Sequence, residues 1–268
     1  MTNTIRSVAK AMRIFLAFDD RSPEFSVTEL SRRVGFPKSV AYKLLRTLAA
    51  QGFLQQDPLT RRYRIGPAIL TVAGAFLRSE PLTREGLPVL RQLSATTGHT
   101  ATLGILGGSD VLFVGAVEGS CAVRAGAKVG DRRPVHATAS GKILLSGLPD
   151  REVERLLGHG PLPRLTPFTT VDAERLKKEL AVVRKTGVAY NLRERSEEIC
   201  SVAAAVRNHL DQIVAAIGVT FSSHLESPGL LEQLSRAVQA HAWKLSRRLG
   251  APSVGRNSDG QRCSRSRG

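Results

Sequence analysis

The sequence predicts an α+β protein made of a small helical unit with a β-hairpin and a larger unit in which helices flank an antiparallel sheet. Residues 4–65 contain helix start and stop signals followed by two short strand-like segments. Residues 80–249 contain apolar strand pairs joined by polar turns, rather than repeated strand–helix–strand units. The length of 268 residues also suits two domains.

Changes in composition predict the domain boundaries. We expect a first domain at residues 1–66, a linker helix at 67–79, a second domain at 80–249 and a tail at 250–268. Pro67 suits the first turn of the linker helix, because its missing N–H has no helical partner there. The tail is rich in Ser, Arg and Gly and offers almost nothing to bury, so we expect it to be disordered.

The charge is strongly basic and unevenly distributed. The net charge is +16, and residues 1–66 carry 12 Lys and Arg against 5 Asp and Glu. A basic excess at one end suits a polyanion such as DNA, because Lys and Arg displace its condensed counterions. No apolar run approaches the roughly 18 residues of a membrane helix, and the N-terminal segment lacks a signal-peptide pattern. We therefore expect a cytoplasmic protein with no membrane partner.

The first domain carries the signals of two helices separated by a tight turn. Ser26 and Glu29 form a capping-box pattern, and Gly35 ends the first helix. Pro37 suits the first position of the second helix, which Gly52 closes. This order of cap, turn, proline and glycine predicts a helix-turn-helix motif.

The second helix of this motif has an apolar side and a basic, polar side, and a short arginine-rich hairpin follows it. The apolar residues are Val40, Leu44, Leu45 and Leu48. These features predict a winged helix-turn-helix that enters the major groove. The residues predicted to read bases are Lys38, Ser39, Tyr42 and Lys43. The residues predicted to hold phosphates are Arg46 and, in the wing, Arg61, Arg62 and Arg64. The alternative is an ordinary helical bundle whose solvated face is basic.

In the second domain, helical and strand-like segments follow one another. The predicted helices are Pro81–Thr97, Ser140–Leu148, Asp172–Thr186 and Leu230–Leu249. The predicted strands surround a turn at residues 107–110 and continue at Ile199–Val206 and Ile213–Phe221. This pattern predicts an antiparallel sheet flanked by helices.

The sequence signals for phosphate binding, catalysis, metal binding and redox sensing are weaker than those for DNA binding. The stretch around Lys142 lacks the first glycine and the Ser or Thr of a phosphate-binding loop. Ser140 and His136 suggest a nucleophile and base, but a helix-capping serine is the simpler interpretation, and no Gly-x-Ser-x-Gly turn is present. The histidines lack metal-ligand spacing, and Cys200 suits a small core residue better than a redox sensor. We therefore predict no enzyme activity, cofactor or metal.

Several motifs resemble the IclR family of bacterial transcriptional regulators. In the first domain these are IRSVAKAMRIFLAF, VTELSRRVGFPKSVAYKLLRTLAAQGFL and RRYRIGPAILTVAG. In the second they are VGDRRPVHATASGKILLSGLP, LTPFTTVDAERLKKELAVVRKTGVAYN and EEICSVAAAVRNHLDQIVAAIGVT. The resemblance covers roughly residues 4–249. It implies a GAF-like effector domain with a six-stranded antiparallel sheet, and dimers that often pair into tetramers.

The resemblance also implies a pocket for a small organic acid or an aromatic catabolite. The backbone amides that would receive a carboxylate belong to Ala139, Ser140 and Gly141. The implied side-chain donors or acceptors are Asn191, Ser201 and Thr220. Ser201 stands where many members have cysteine, and Cys200 is one residue out of phase, which places it on the opposite face of its strand.

These features predict a sequence-specific transcriptional regulator, either repressor or activator, whose DNA binding a small carboxylate modulates. A homodimer would read a palindromic operator with half-sites about one helical turn apart. Two alternatives stay open: an enzyme whose second domain turns over a metabolite, and an architectural DNA-binding protein without an effector.

Overall fold

The computed structural model describes residues 4–19, 22–121, 126–158 and 160–252. Contacts divide these residues into two compact units, one ending at Ser79 and the other beginning at Glu80. The part of the chain that is described contains no helix long and apolar enough to cross a membrane. The predicted tail falls mostly on residues 253–268, which lie outside the described residues, so its disorder stays a prediction.

The first unit has helices and a small sheet. Its elements are α1 (Arg6–Phe15), β1 (Glu24–Phe25), α2 (Val27–Val34), α3 (Lys38–Ala50), β2 (Leu54–Gln56), β3 (Tyr63–Ile65) and α4 (Ala68–Ser79). The strands form an antiparallel sheet in the order β1-β3-β2. The prediction missed β1, because two residues are too short for a periodic pattern.

The turn between α2 and α3 follows from local chemistry. Ser26 Oγ accepts from the Glu29 amide at 3.3 Å, and Glu29 Oε2 accepts from the Ser26 amide at 2.8 Å, so the predicted capping box is confirmed. Gly35 ends α2 with φ +68°, a left-handed conformation that glycine adopts without steric cost. Pro37 is the N-cap of α3 rather than its first helical residue, which corrects the prediction by one position.

In its described residues, the second unit contains the larger sheet and five α-helices. Its helices are α5 (Pro81–Thr97), α6 (Ala139–Ser146), α7 (Asp150–Leu157), α8 (Ala173–Thr186) and α9 (Pro228–Arg248). Its strands are β4 (Thr100–Gly107), β5 (Asp110–Val117), β6 (Arg132–Pro134), β7 (Val188–Leu192), β8 (Ile199–Arg207) and β9 (Ile213–Ser222). The sheet is antiparallel, in the order β6-β5-β4-β9-β8-β7. The predicted α+β class is confirmed.

Each face of this sheet packs against helices. On one face, the strands and helices α5 and α9 bury a cluster that includes Leu90, Val202, Phe221 and Leu245. On the other face, α6 and α8 bury a second cluster that includes Ile143, Leu145, Leu176 and Ala203. All eight residues of α6 are buried, so this short helix lies inside the unit and against the sheet.

The prediction omitted β6, α7 and β7. Strands β6 and β7 form the two edges of the larger sheet, with three and five residues, which is too short for either to show a clear alternating pattern. Helix α7 has one buried residue, Val153, and its other residues are partly or fully exposed. Such short elements depend on their neighbours and give a weak signal in the sequence.

Candidate functional site

Helix α3 presents a polar surface to solvent. The residues predicted to contact DNA from this helix are all exposed: Lys38, Ser39, Tyr42, Lys43 and Arg46. The opposite side packs on the core of the first unit through Ala41 and Leu45, which are fully buried, and through Val40, Leu44 and Leu48, which are partly buried. The prediction overlooked Ala41, because alanine adds little to an apolar pattern.

The wing is the hairpin of β2 and β3, joined by a turn that Asp57 organises. The Asp57 carboxylate accepts from the amides of Leu59 and Thr60 at 2.8 and 2.7 Å, and these bonds lower the pKa of the carboxyl, the Thr60 bond most. Arg61 and Arg64 are exposed on this hairpin. Arg64 donates to Gln55 Oε1 at 3.2 Å on the neighbouring strand, so its guanidinium lies along the wing surface.

Arg62 faces inward, toward acidic side chains. Its Nε lies 2.8 Å from Glu24 Oε1, and its Nη2 lies 2.9 Å from Glu29 Oε2. Nη2 also donates to the Glu24 carbonyl at 3.2 Å. Arg62 therefore connects the wing to β1 and to the capping box of α2, and these carboxylates already neutralise its charge.

The second unit contains a pocket between the sheet and the N-terminal end of α6. Five of the six residues predicted for an effector line it: Ala139, Ser140, Asn191, Ser201 and Thr220. The strand pairing explains why three of these residues lie close together. Asn191 on β7 lies opposite Ser201 on β8, and Ser201 lies opposite Thr220 on β9. Residues that are far apart in sequence thus form one polar row on a single face of the sheet.

Gly141, the sixth predicted residue, does not line the pocket. Its amide donates to Thr138 Oγ1 at 3.1 Å, and Thr138, not Ser140, is the residue that caps α6. A Cβ atom on Gly141 would lie 2.1 Å from the Val135 carbonyl oxygen. Gly141 therefore allows close packing of backbone on backbone, and of the three residues whose amides were predicted to bind a carboxylate, Ala139 and Ser140 line the pocket.

Asn191 is oriented by its own loop. It is 2% exposed, and its Oδ1 accepts from the Glu194 amide at 2.8 Å and from the Arg195 amide at 3.4 Å. Because the oxygen is used in this way, the Nδ2 group is the part of the side chain that can serve the pocket. Any hydrogen bond that the Asn191 side chain makes into the pocket would therefore be donated by Nδ2.

Two arginines that the prediction did not include also line the pocket. These are Arg133, on β6, and Arg195, just after β7. The signal for Arg133 was its place in the motif VGDRRPVHATASGK, next to the predicted amides. No local signal distinguishes Arg195 from other surface arginines, since only the folding of the sheet brings it to the pocket.

Comparison with known proteins agrees with this architecture. A sequence profile described as the IclR helix-turn-helix domain matches residues 7–58. A second profile, described as the bacterial transcriptional regulator IclR C-terminal domain, matches residues 74–247. The chain belongs to the IclR family.

Relatives and solved structures of the IclR family extend over nearly the whole chain. The HTH-type transcriptional regulator XynR of Escherichia coli is 34% identical, over 92% of this chain and 98% of XynR. The crystal structure of the Alicyclobacillus acidocaldarius IclR regulator is 27% identical with a TM-score of 0.83, covering 92% of this chain and all of that one. A Microbacterium hydrocarbonoxydans IclR homologue crystallised with 4-hydroxybenzoate is 23% identical, with a TM-score of 0.77, covering 91% of this chain and 98% of that one. This chain is therefore a helix-turn-helix transcriptional regulator with an effector-binding C-terminal domain.

In this IclR-family chain, a buried cation lies beside the pocket. Lys142 of α6 is 1% exposed, and its Nζ donates to Glu179 Oε1 at 2.6 Å and to Glu194 Oε1 at 2.5 Å. Nζ also donates to the Tyr190 carbonyl at 3.1 Å. Burial raises the pKa of the Glu194 carboxyl, and the Lys142 ammonium opposes that rise. The cluster ties α6 to the Asn191 loop.

The groups considered for other chemistries have structural roles in the IclR fold. Cys200 is fully buried in the cluster with Phe221, and burial, assisted by Glu226, raises the pKa of its thiol to about 12. A thiol in this state is protonated at neutral pH and is a poor redox sensor. Burial lowers the pKa of His136, whose Nε2 lies 3.0 Å from the Pro163 carbonyl rather than against Ser140. Within the described ranges, no cluster of His, Cys, Asp and Glu is arranged to hold a metal ion.

Proposed function

We propose that this regulator binds a palindromic operator as a homodimer in the cytoplasm, and that a small carboxylate in the pocket beside α6 alters that binding. The observation that carries the proposal is that several residues able to donate hydrogen bonds line one pocket. The Asn191 Nδ2 group, the Ala139 and Ser140 amides and the Arg133 guanidinium are donors. A pocket lined by hydrogen-bond donors and by no described Asp or Glu suits an anionic ligand. The 4-hydroxybenzoate crystallised with the Microbacterium homologue is also a carboxylate.

On the DNA side, Lys38, Ser39, Tyr42 and Lys43 would contact base edges. Arg46, Arg61 and Arg64 would contact phosphates, because each is exposed on α3 or the wing. We assign Arg62 a different role from the one that the sequence suggested. Its ion pairs with Glu24 and Glu29 make it a support of the wing.

The homodimer is supported by apolar side chains exposed on two helices of the first unit. The stripe along α1 consists of Ile5, Val8, Met12 and Leu16, which are 50–75% exposed. Helix α4 has no buried residue and exposes Leu70, Val72, Phe76 and Leu77. Contiguous exposed apolar surface of this kind is typical of protein–protein interfaces. Both helices would then be covered by the partner subunit.

The proposed function is tested by binding of the purified chain to its own upstream intergenic DNA across a salt series, with and without small carboxylic acids. We expect specific binding at physiological salt, and a change in affinity of about 5-fold to 150-fold with an effective acid. Binding that is independent of sequence and unaffected by every acid would contradict the proposal and favour an architectural role.

Variants of the DNA-reading surface separate base contacts from phosphate contacts. Tyr42→Ala is expected to change the preferred operator sequence, because it removes a side chain at the base edges. Arg64→Ala is expected to weaken binding to all sequences alike and to reduce the salt slope by about 1. Fluorescence anisotropy on operator and scrambled DNA measures both effects. Arg78→Ala, on α4, is the control, and equal behaviour of Tyr42→Ala and Arg64→Ala would refute the division of roles.

Charges placed in the α1 stripe are expected to dissociate the dimer. The double variant Val8→Glu, Met12→Glu would bury two carboxylates in an apolar interface, so the dimer dissociation constant should rise at least about tenfold. Sedimentation velocity gives the mass of each species. Leu59→Glu is the matched control, since Leu59 is 91% exposed on the wing turn and lies outside the stripe. A double variant that stays dimeric would place the interface elsewhere.

A further inference from the structure

We infer that the effector of this regulator is a small dianion with an anionic group at each end, bound between Arg133 and Arg195. The inference rests on the proposed effector pocket and adds the chemical class of its ligand. Both arginines line the pocket, together with the hydroxyl-bearing residues Thr102, Ser201 and Thr220. The positive charges of Arg133 and Arg195, and the places in the sheet from which they reach the pocket, distinguish it from an apolar cleft.

The order of the strands brings Arg133 and Arg195 to the pocket from opposite edges of the sheet. Arg133 lies on β6, at one edge of the six-stranded sheet. Arg195 lies three residues beyond the end of β7, at the other edge. Because side chains from both edge regions line one pocket, a ligand there lies between them, above the polar row and below the N-terminal end of α6.

Arg133 is held in a defined position. Its side chain is 12% exposed, and its Nη2 lies 2.8 Å from Asp131 Oδ2 and 3.3 Å from the Gly126 carbonyl oxygen. The guanidinium also lies over the Phe113 ring, with 5.9 Å between Cζ and the ring centroid. These contacts use one of its three nitrogens, so Nη1 and Nε can donate to a carboxylate.

The charges of the lining residues favour two anionic groups. The described residues that line the pocket include Arg133 and Arg195 and no Asp or Glu. The Asp131 carboxylate, which pairs with Arg133, lies outside the lining and contacts Nη2. A guanidinium is charged at every accessible pH and binds carboxylates through paired hydrogen bonds. A dianion can place one carboxylate against each arginine, whereas a monocarboxylate can serve only one. The hydroxyl row would then contact the middle of the ligand.

Calorimetric titration of the full chain with matched acids tests the inference. The dicarboxylates are malonate, succinate, glutarate and phthalate, and their monocarboxylate partners are propionate, butyrate, valerate and benzoate, with 4-hydroxybenzoate added. We expect at least one dicarboxylate to bind about tenfold or more tightly than its partner. Arg133→Gln and Arg195→Gln should each remove this preference.

Arg132→Gln is the matched control, because Arg132 is the adjacent residue on β6 and contacts Asp110 and the Gly107 carbonyl outside the pocket. Thermal denaturation shows which variants are folded. If Arg133→Gln is not folded, Arg133→Lys, which keeps the charge, replaces it. The preference of Arg133→Lys for dicarboxylates over monocarboxylates should lie between those of the wild type and Arg195→Gln.

The outcomes separate this inference from the proposed function. Monocarboxylates that bind as tightly as their dicarboxylate partners, or a preference that survives both Gln variants, would overturn the dianion while leaving the carboxylate pocket in place. Failure of every dicarboxylate to bind would also overturn it. If, in addition, no acid of either set changed operator binding, the proposed function would fail as well.

Discussion

Replacing Gly141 with alanine is expected to destabilise the second unit by about 3 kcal/mol or more. The new Cβ would lie 2.1 Å from the Val135 carbonyl oxygen and 2.4 Å from Val135 Cα. Both atoms belong to the backbone, so no side-chain rotation can relieve the overlap, and α6 must move away from the 3-10 turn Val135–Ala137. Urea denaturation of the full chain, followed by circular dichroism, measures the loss.

Gly229→Ala is the matched control for this substitution. Gly229 lies in the first turn of α9, and a Cβ there would meet no atom within 4 Å. Its stability should therefore stay within about 0.5 kcal/mol of the wild type or rise slightly, because alanine is the better helix former. A Gly141→Ala protein as stable as Gly229→Ala would show that the contact between α6 and Val135 is loose.

Replacing Lys142 with methionine is expected to cost about 3–5 kcal/mol, the usual loss when one partner of a buried ion pair is removed. Glu194 is 7% exposed, and its Oε2 already forms no hydrogen bond within the described part of the chain. Without Lys142, Glu194 Oε1 also loses its hydrogen-bond donor, the Nζ group at 2.5 Å. Glu179 is affected less, since its side chain is 34% exposed and water can solvate it.

The stability loss of Lys142→Met should depend on pH in a defined direction. Burial raises the pKa of Glu194 above its ordinary value of 4.5, and removing Lys142 takes away the charge that opposes this rise. In the variant, the folded state therefore holds a proton on Glu194 that the unfolded state releases. Its free energy of unfolding falls as pH rises above about 4.5, so the deficit relative to the wild type is smallest near that pH.

Chemical denaturation of wild type and variant between pH 4.5 and 8 measures this difference. The double variant Lys142→Met, Glu194→Gln should recover part of the stability and lose most of the pH dependence, because the buried carboxylate is gone. A deficit that is constant with pH, or that grows as pH falls, would show that Glu194 is not the group responsible.

Local chemistry accounts for the elements that the sequence predicted well. The α2 capping box, the glycine ends of α2, α5 and α8, and the turn between β4 and β5 each depend on residues within about four positions of one another. The exposed side of α3 follows in the same way from helical periodicity. Such interactions are present before the chain folds globally, so the sequence alone reveals them.

The candidate site was predictable only in part. Asn191, Ser201 and Thr220 were inferred from a family resemblance, and the strand register shows why they lie together. The same resemblance implies that the Gly141 amide receives a carboxylate, but this amide donates to the Thr138 cap. The arginine-rich strand of the predicted wing suggests that Arg62 contacts phosphate, but its side chain pairs with Glu24 and Glu29.

By itself, the sequence determined the two-domain α+β organisation, the helix-turn-helix and its basic face, and the membership of the IclR family. Only the tertiary structure decided which charges are neutralised and which face the pocket. It pairs Lys142 with Glu194 across 52 positions of sequence, and it brings Arg133 and Arg195 together from opposite edges of one sheet. These contacts depend on strand order and on burial, which arise when distant segments pack and which no local pattern of residues records.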